Sequence, residues 1–325
     1  MITIWAPDGV GEVRRGDDLA DHLLTATSGV ATAGEPNGLA DGDIVFVTSK
    51  VVSKAEGRMA AGDRADAIVR ETRRLVARRG PLSIVVNRLG LTMAAAGVDA
   101  SNVEAGHVLL LPEDPDRTAR TLRRALADRG GVDVAVVVTD TAGRAWREGQ
   151  TDIAIGAAGL RVLDDHAGRT DPYGNTLTVT APAVADELAG AAELAAGKLG
   201  RRPFVVVRGR SDLVLPAGED GAGAAGLLRA EGEDLFGFGS RQAVLAALGG
   251  ADDDRRAFGQ PVAGVELSDI LASLTGAEVD LDSGSLAVVT DEARARWVVE
   301  VAAYAHGWRV AGTETSRIEL RPGTP

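Results

Sequence analysis

The sequence predicts an α/β (α+β) protein built on at least one large mixed sheet, and three observations carry that prediction. Runs of β-branched and aliphatic residues alternate with amphipathic segments of helical period. Apolar residues make up 45% and charged residues 25%, a balance that fits packed structure. Aromatics are only 3% beside 41 glycines, so the core is built from Ala, Val and Leu. A chain of 325 residues can bury a large core and suggests roughly two domains.

Taken in order, "ITIW" is a short opening strand, and the Pro/Gly loop "PDGVGEVRRGDD" leads to a helix over residues 17–27. "IVFV" (44–47) is a buried strand that gives way to a turn carrying Ser49, Lys50 and Lys54. "DRADAIVRETRRLVARRG" has the spacing of an exposed amphipathic helix ending at Gly80. "LSIVV" is a strand followed by the polar pair Asn87-Arg88, residues 117–128 are helical, and "VDVAVVVTD" is a strand. "LRVLDD" reads as a strand and "DPYGN" as a turn. "LTVTAPAVADELAGAAELAAGKLG" passes from a strand into a long Ala-rich helix. "PFVVVRGR" is a strand, residues 212–226 form a mobile Gly/Ala/Pro-rich loop, and an acidic turn and short helix follow. Charges with Gly and Pro around 250–262 mark a boundary. Beyond it lie a helix near 267–273, a strand "SLAVVT", an amphipathic helix "DEARARWVVEVAAYAHG" and a final strand "SRIELR". Residues 1–250 are therefore read as the main domain and 251–325 as a small α/β appendage without a chemical motif.

Composition also excludes. A net charge of -12 argues against nucleic acid as the main partner. Zero cysteines rule out disulfides, thiolate nucleophiles and cysteine-ligated metals. The N-terminus lacks a basic start followed by an apolar stretch, and no run approaches about 18 apolar residues, so the chain reads as cytoplasmic without a membrane span. There is no GxxxxGK[ST] loop, no GxGxxG after a first strand, no HExxH and no GxSxG. Any nucleotide site must be assembled from scattered loops, with Lys and Arg neutralising phosphates and carboxylates holding a divalent cation.

Four constellations could do this. "TSKVVSK" gathers Ser49, Lys50, Ser53 and Lys54 after a buried strand, where two ammonium groups can reach one polyphosphate. "TDTAGRAWREGQTD" offers Asp140 as a metal ligand, with Arg144 and Arg147 nearby. "AVADELAGAAEL" puts Asp186 and Glu187 at a helix start, and "AEGEDLF" adds Glu231, Glu233 and Asp234. The first three each have a structural alternative. The lysines could sit on a solvated turn, Asp140 could cap a turn, and Asp186 and Glu187 could complement their helix dipole. Trp146 reads as a packing residue, although two flanking arginines permit stacking on a ring.

"VTSKVVSKAEGR", "NRLGLTMAAAGVDASNV", "VTDTAGRAWREGQTDIAIGAAG", "DPYGN", "AVADELAGAAEL" with "GK" after it, and "DLF" occur in one order over about residues 3–248. In this the chain resembles the coenzyme F420-0:γ-glutamyl ligase family, which includes stand-alone archaeal enzymes and the N-terminal domain of two-domain actinobacterial ones. The resemblance implies a family-specific mixed-sheet fold without a phosphate loop and an intertwined homodimer. It implies a GTP-dependent ligase that attaches L-glutamate to F420-0 or its dehydro form and extends a γ-linked polyglutamate tail. Mn²⁺ or Mg²⁺ and K⁺ are the implied ions.

By motif, Pro7, Gly9, Val10, Gly11, Ser49, Lys50 and Lys54 match GTP-contacting positions, and Asp140 matches a metal ligand. Asp186 and Glu187 match a second ligand position, with the choice between them open. The segment 229–236 matches a late nucleotide and metal loop, through Arg229, Glu231 and Phe236 for nucleotide and Glu233 for metal. "RAEGED" departs there from the commoner Pro-containing form. Arg88, Arg144, Arg147 and Arg208 are candidate contacts to an anionic substrate, with Lys50, Asp140 and Arg144 as the catalytic set. The actinobacterial reductase domain cannot fit into residues 251–325, so no FMN is expected. Two further readings stay open: a non-catalytic nucleotide-binding regulatory paralogue, and an amide ligase acting on a different phosphorylated acid.

Overall fold

A computed structural model of the chain describes residues 1–28, 38–101, 104–282 and 284–323. The last two residues of the quoted "NRLGLTMAAAGVDASNV", Asn102 and Val103, lie outside them. The chain packs as two compact units, one of Met1–Arg73 with Val86–Leu228 and one of Arg74–Val85 with Arg229–Pro325. This division by packing is distinct from the functional boundary at residue 250 drawn from the sequence.

In chain order the elements are β1 (Thr3–Trp5), α1 (Leu19–Thr27), β2 (Ile44–Thr48), α2 (Ser49–Glu56), β3 (Met59–Ala61), α3 (Arg64–Glu71), β4 (Thr72–Arg79), β5 (Leu82–Asn87), β6 (Thr92–Ala94), β7 (His107–Leu109), α4 (Pro115–Gly130), β8 (Ala135–Arg144), β9 (Arg147–Ala158), α5 (Val184–Ala196) and β10 (Phe204–Arg208). They continue with α6 (Ser240–Gly249), α7 (Gly264–Thr275), β11 (Glu278–Asp282), β12 (Ser285–Val289), α8 (Ala293–Ala305), β13 (Trp308–Thr313) and β14 (Arg317–Pro322).

The first unit is organised on a five-stranded mixed sheet of order β1-β10-β2-β8-β9. Only β2 and β8 pair in parallel, from Ile44 opposite Ala135 to Thr48 opposite Thr139. Their apolar runs are buried on both faces, as central strands require. The period of two divides each run between two layers. Ile44, Phe46, Ala135 and Val137 pack with Val184, Ala185, Leu188 and Ala189 of α5. Val45, Val47, Val136 and Val138 pack with Leu19 and Leu23 of α1 and with Ala119, Leu122 and Leu126 of α4. The small-residue core follows from this close layering. Gly156 of β9 lies so near α4 that a Cβ there would sit 2.4 Å from the Pro115 carbonyl carbon.

Helix ends are written into the sequence. Asp18 caps α1 and Asp114 caps α4, with Pro115 at its first turn. Gly57 and Gly131, both in left-handed conformation, end α2 and α4.

Several expectations are corrected. Ser49, Lys50 and Lys54 lie on a helix rather than a turn, because β2 runs directly into α2 with Thr48 as its extended N-cap. The helix expected to reach Gly80 stops at Glu71, and Thr72–Arg79 is a strand. "TRRLVARR" has helical propensity, but a turn at Gly80-Pro81 and the following "LSIVV" run offer a strand partner, and pairing overrides propensity. "LRVLDD" and "LTVT" form no strand. Leu160 makes one bridge to Val214, and the segment that follows carries the expected "DPYGN" turn, where Asp171 accepts from the Tyr173 and Asn175 amides. The loop expected to be mobile is clamped. Buried Arg123 donates to the carbonyls of Leu215, Pro216 and Glu219, and Asp116 accepts from the Ala224 and Ala225 amides. Trp146, read as a packing residue, is 81% exposed at the β8–β9 hairpin tip.

In the second unit, an antiparallel sheet of order β11-β12-β14-β13 is covered by α7 and α8 around Leu267, Leu271, Leu286, Val299, Ile318 and Leu320. The arm Arg74–Val85 belongs to this unit, with the Gly239 amide donating to the Val76 carbonyl.

Candidate functional site

The parallel pair β2–β8 brings two sequence-distant segments together. Thr48 and Thr139 are partners at its carboxyl end, so Ser49, which opens α2, lies beside Asp140. Ser49 Oγ donates to Asp140 Oδ1 at 2.8 Å. The carboxyl end of parallel strands, where a helix begins, is the usual place for a ligand in such sheets. Thr48 makes no side-chain cap, which leaves the first amides of α2 available to an anion.

Asp140 is largely enclosed. Burial, reinforced by the nearby charge of Asp152 and opposed by the Ser49 hydrogen bond, pushes its carboxyl up to about 6. Asp152, 6% exposed, accepts from Thr141 Oγ1 at 2.7 Å, and Lys198 Nζ donates to that same hydroxyl at 2.7 Å while reaching Glu193 at 3.1 Å. A register shift in the β8–β9 ladder between Val138 and Thr139 falls immediately before Asp140, a place where a bulge can re-aim a side chain.

Asp186 and Glu187 separate clearly. Asp186 Oδ1 accepts from the Ala154 amide at 2.8 Å, and Ala154 is the neighbour of Ile153, the cross-strand partner of Asp140. Burial raises the Asp186 carboxyl. Glu187 is exposed in the first turn of α5. Asp186 is therefore the one turned toward the strand pair that carries Asp140.

Lys50 Nζ lies 2.7 Å from Asp99 Oδ2 and donates to Ser101 Oγ at 3.1 Å. Burial raises the Asp99 carboxyl, but the hydrogen bonds from Lys50 and Ser101 outweigh it and hold the group below its ordinary value. The loop reaches this position through two successive non-glycine residues of positive φ, Ala95 at 52° and Ala96 at 55°, a conformation costing about 1–2 kcal/mol per residue. Lys54, on the same helix, is half-buried. Pro7, Gly9, Val10 and Gly11 follow β1 in a loop where Pro7 is buried, Val10 packs on the core and Gly9 has φ 83°.

The arginines are not gathered around Asp140. Arg144 and Arg147 face each other at the exposed hairpin tip, and at about 3.3 Å per residue Arg144 is carried about 13 Å along the strand from Asp140. Arg144 donates to the Glu148 carbonyl. Arg88 is held by Glu71 at 2.8 Å and by the carbonyls of Leu111, Pro112 and Glu113. Arg208 forms a two-pronged pair with the 1% exposed Asp43, both contacts at 2.7 Å, and lies over the Trp5 ring. Arg229, Glu231, Glu233 and Phe236 belong to the second unit, where all four are exposed and Glu231 lies 3.9 Å from Arg256.

Sequence reasoning left Asp99, Ser101, Thr141, Asp152 and Lys198 without roles, although each falls inside a segment quoted above. The signal that could have found Thr141 and Asp152 is strand pairing, which sets the two opposite each other.

Among the described residues no three His, Cys, Asp or Glu side chains cluster as a metal cage. Asp140, enclosed beside Asp152 with one hydroxyl donor, is nonetheless a carboxylate that a cation would stabilise. The donor set fits Mg²⁺ or Mn²⁺ held through one or two carboxylates, with phosphate and water completing the shell.

Residues 9–209 match the family model described as F420-0:Gamma-glutamyl ligase. A Methanopyrus kandleri protein named coenzyme F420:L-glutamate ligase is 39% identical over 247 residues, covering 69% of this chain and 93% of that protein. Proteins of the same name from Archaeoglobus fulgidus and Natronomonas pharaonis are 36% and 40% identical, covering 64% and 62% of this chain and 88% and 84% of theirs. The family match spans more than half of the chain and contains β2, α2, β8 and Asp186, and on that ground the chain belongs to the F420-0:gamma-glutamyl ligase family.

Proposed function

We propose that this protein ligates L-glutamate to coenzyme F420-0 or its dehydro form, using GTP, and extends the product as a γ-linked tail. The observation that carries this reading is the enclosed Asp140, joined through Ser49 to the first turn of α2, which also bears Lys50. The relatives' printed names supply the substrate.

A carboxylate is a poor acyl donor. The route we infer has a carboxylate oxygen of the acceptor attack the γ-phosphorus of GTP, with GDP leaving. The glutamate amine then attacks the acyl carbon, releasing inorganic phosphate and a proton and forming the amide. The work asked of the protein is positioning and charge compensation. Lys50 and the uncapped amides of α2 would meet the phosphates, with Lys54 one turn further along the helix. Ser49 orients the Asp140 carboxylate. Asp140 and Asp186 would hold Mg²⁺ or Mn²⁺, which when bound supplies charge neutralisation at the transferred phosphoryl group. Glu187 is a further candidate at the same ion, and the resemblance keeps Glu233 of the second unit as a metal candidate and Arg229, Glu231 and Phe236 of that unit as nucleotide candidates. Residues 1–250 form the ligase domain, and the homodimer and K⁺ requirement belong to the same proposal.

The test is phosphate release from GTP with Mn²⁺, in the presence and absence of F420-0 and L-glutamate. Release that needs both co-substrates and falls at least about a hundredfold in Asp140→Ala supports the ligase; release independent of both refutes it.

A further inference from the structure

We propose that the second unit carries its own binding site for an acidic amino acid, in a cavity of about 660 Å³ lined by Arg255, Arg256, Arg309, Glu231, Asp252 and Asp253. All six residues fall in that one compact unit and outside residues 9–209, the span matched by the family model, so the inference is independent of the ligase reading above. The volume is that of a small-molecule pocket, but none of the six side chains is apolar, and a hydrophobic or aromatic ligand has nothing to bury against. The balance of charge narrows the class further. A polyphosphate would set its charge against three carboxylates and is disfavoured. A ligand with two carboxylates and one ammonium meets both signs of the lining with the opposite charge.

The basic groups are prepared for an anion. Arg255 lies over the Tyr304 ring at 4.3 Å, donates from Nη1 to the Trp308 carbonyl at 3.2 Å and from Nε to Asp252 Oδ1 at 3.0 Å. Tyr304 is 4% exposed and donates its hydroxyl to the Ala251 carbonyl, so the ring beneath the guanidinium is itself fixed. Of the five N–H donors of an arginine these contacts use two, and Nη2 keeps both of its own for a carboxylate. Arg309 is exposed and has no hydrogen-bond or ion-pair partner among the described residues. It is also the cross-strand partner of Arg321 in the β13–β14 ladder. Like charges directly opposite each other destabilise a strand pair, and an anion beside Arg309 relieves that repulsion. Arg256 reaches only Glu231, at 3.9 Å. Among the carboxylates, Asp252 is engaged with Arg255, whereas Asp253 has no partner among the described residues and is left to accept from an ammonium. A solvated surface arginine has neither the stacked, doubly bonded neighbour nor the opposed like charge found here.

The test is calorimetric titration of the full chain with L-glutamate, glutarate and inorganic phosphate, in the absence of GTP and F420-0. Saturable binding of L-glutamate is expected, at least about tenfold tighter than glutarate, which lacks the ammonium, and than phosphate. Arg309→Glu is expected to weaken L-glutamate by at least about tenfold while the circular dichroism spectrum is kept. Asp253→Asn is expected to remove most of the advantage of L-glutamate over glutarate. No saturable binding of L-glutamate, equal binding of glutarate or phosphate, or binding that survives Arg309→Glu overturns the proposal, and an unchanged preference in Asp253→Asn overturns the part given to that carboxylate. Should Arg309→Glu fail to fold, Arg309→Ala carries the same expectation, and unchanged affinity overturns the proposal. A chain that adds glutamate to F420-0 yet shows no such binding overturns this inference and leaves the ligase; one that binds L-glutamate through Arg309 and adds none refutes the ligase reading alone.

Discussion

Asp140 shows how one side chain can cost stability and supply function. Its folded carboxyl lies at about 6 against an ordinary value of 3.8. The folded state therefore binds a proton more tightly than the unfolded one, and stability falls as pH rises from about 4 to about 6 and then levels. Above that window the buried charge costs on the order of 2–3 kcal/mol. Asp140→Asn should accordingly raise the melting temperature of metal-free protein at pH 7.5, leave it little changed at pH 4, and lose glutamate ligation. An unchanged melting temperature at pH 7.5 would contradict the electrostatic account of this residue. Arg208 carries the opposite expectation. Its pair with buried Asp43 predicts that Arg208→Ala loses about 3 kcal/mol in chemical denaturation, by stranding the carboxylate, with the KM for F420-0 unchanged in whatever protein remains folded. A raised KM at unchanged stability would instead support Arg208 as the substrate contact implied by the resemblance. The residue types at Ser49, Lys50 and Asp140 were legible in the sequence. The internal partners of Arg88 and Arg208 were not, because Asp43, Glu71 and the carbonyls that occupy them are remote in sequence.

Strands and helix caps were largely legible, because β2, β8 and β10 each open with an unbroken apolar run and α4 carries its own Asp-Pro start and glycine stop. The failures have physical causes. Basic residues mask the pairing of β4, and α2 begins without the Ser, Asp or Asn cap that would announce it, so "TSKVVSK" reads as a turn. The looped segment 212–226 has a mobile composition, yet Arg123 and Asp116 fix it from α4, about a hundred residues earlier in the chain. Close approach of α4 to β9 is equally invisible locally, although it dictates Gly156. Gly156→Ala must push α4 away from the sheet and should cost at least about 1–3 kcal/mol by urea denaturation. A loss below about 0.5 kcal/mol would show that the α4–β9 packing is looser than the structure has it.

Across the chain, composition fixed the broad class while motif order carried the family. A core of small aliphatic residues lets helices lie close on both faces of the five-stranded sheet, and that layering sets the carboxyl ends of β2 and β8 side by side. No helix among the described residues is long and apolar enough to cross a membrane. The two compact units are not continuous in sequence, since the arm Arg74–Val85 joins residues from Arg229 onward. That interleaving could not be read from a charge run near residue 250, because compositional boundaries register exposure rather than which segments pack together. The measurement to make is incubation of the purified full chain with F420-0, L-glutamate, GTP and Mn²⁺, followed by chromatography and mass spectrometry of the deazaflavin product. Successive glutamate-sized mass additions that require GTP, and vanish with Asp140→Ala, are predicted. Folded protein that binds GTP but leaves both F420-0 and its dehydro form unmodified would rule out the ligase.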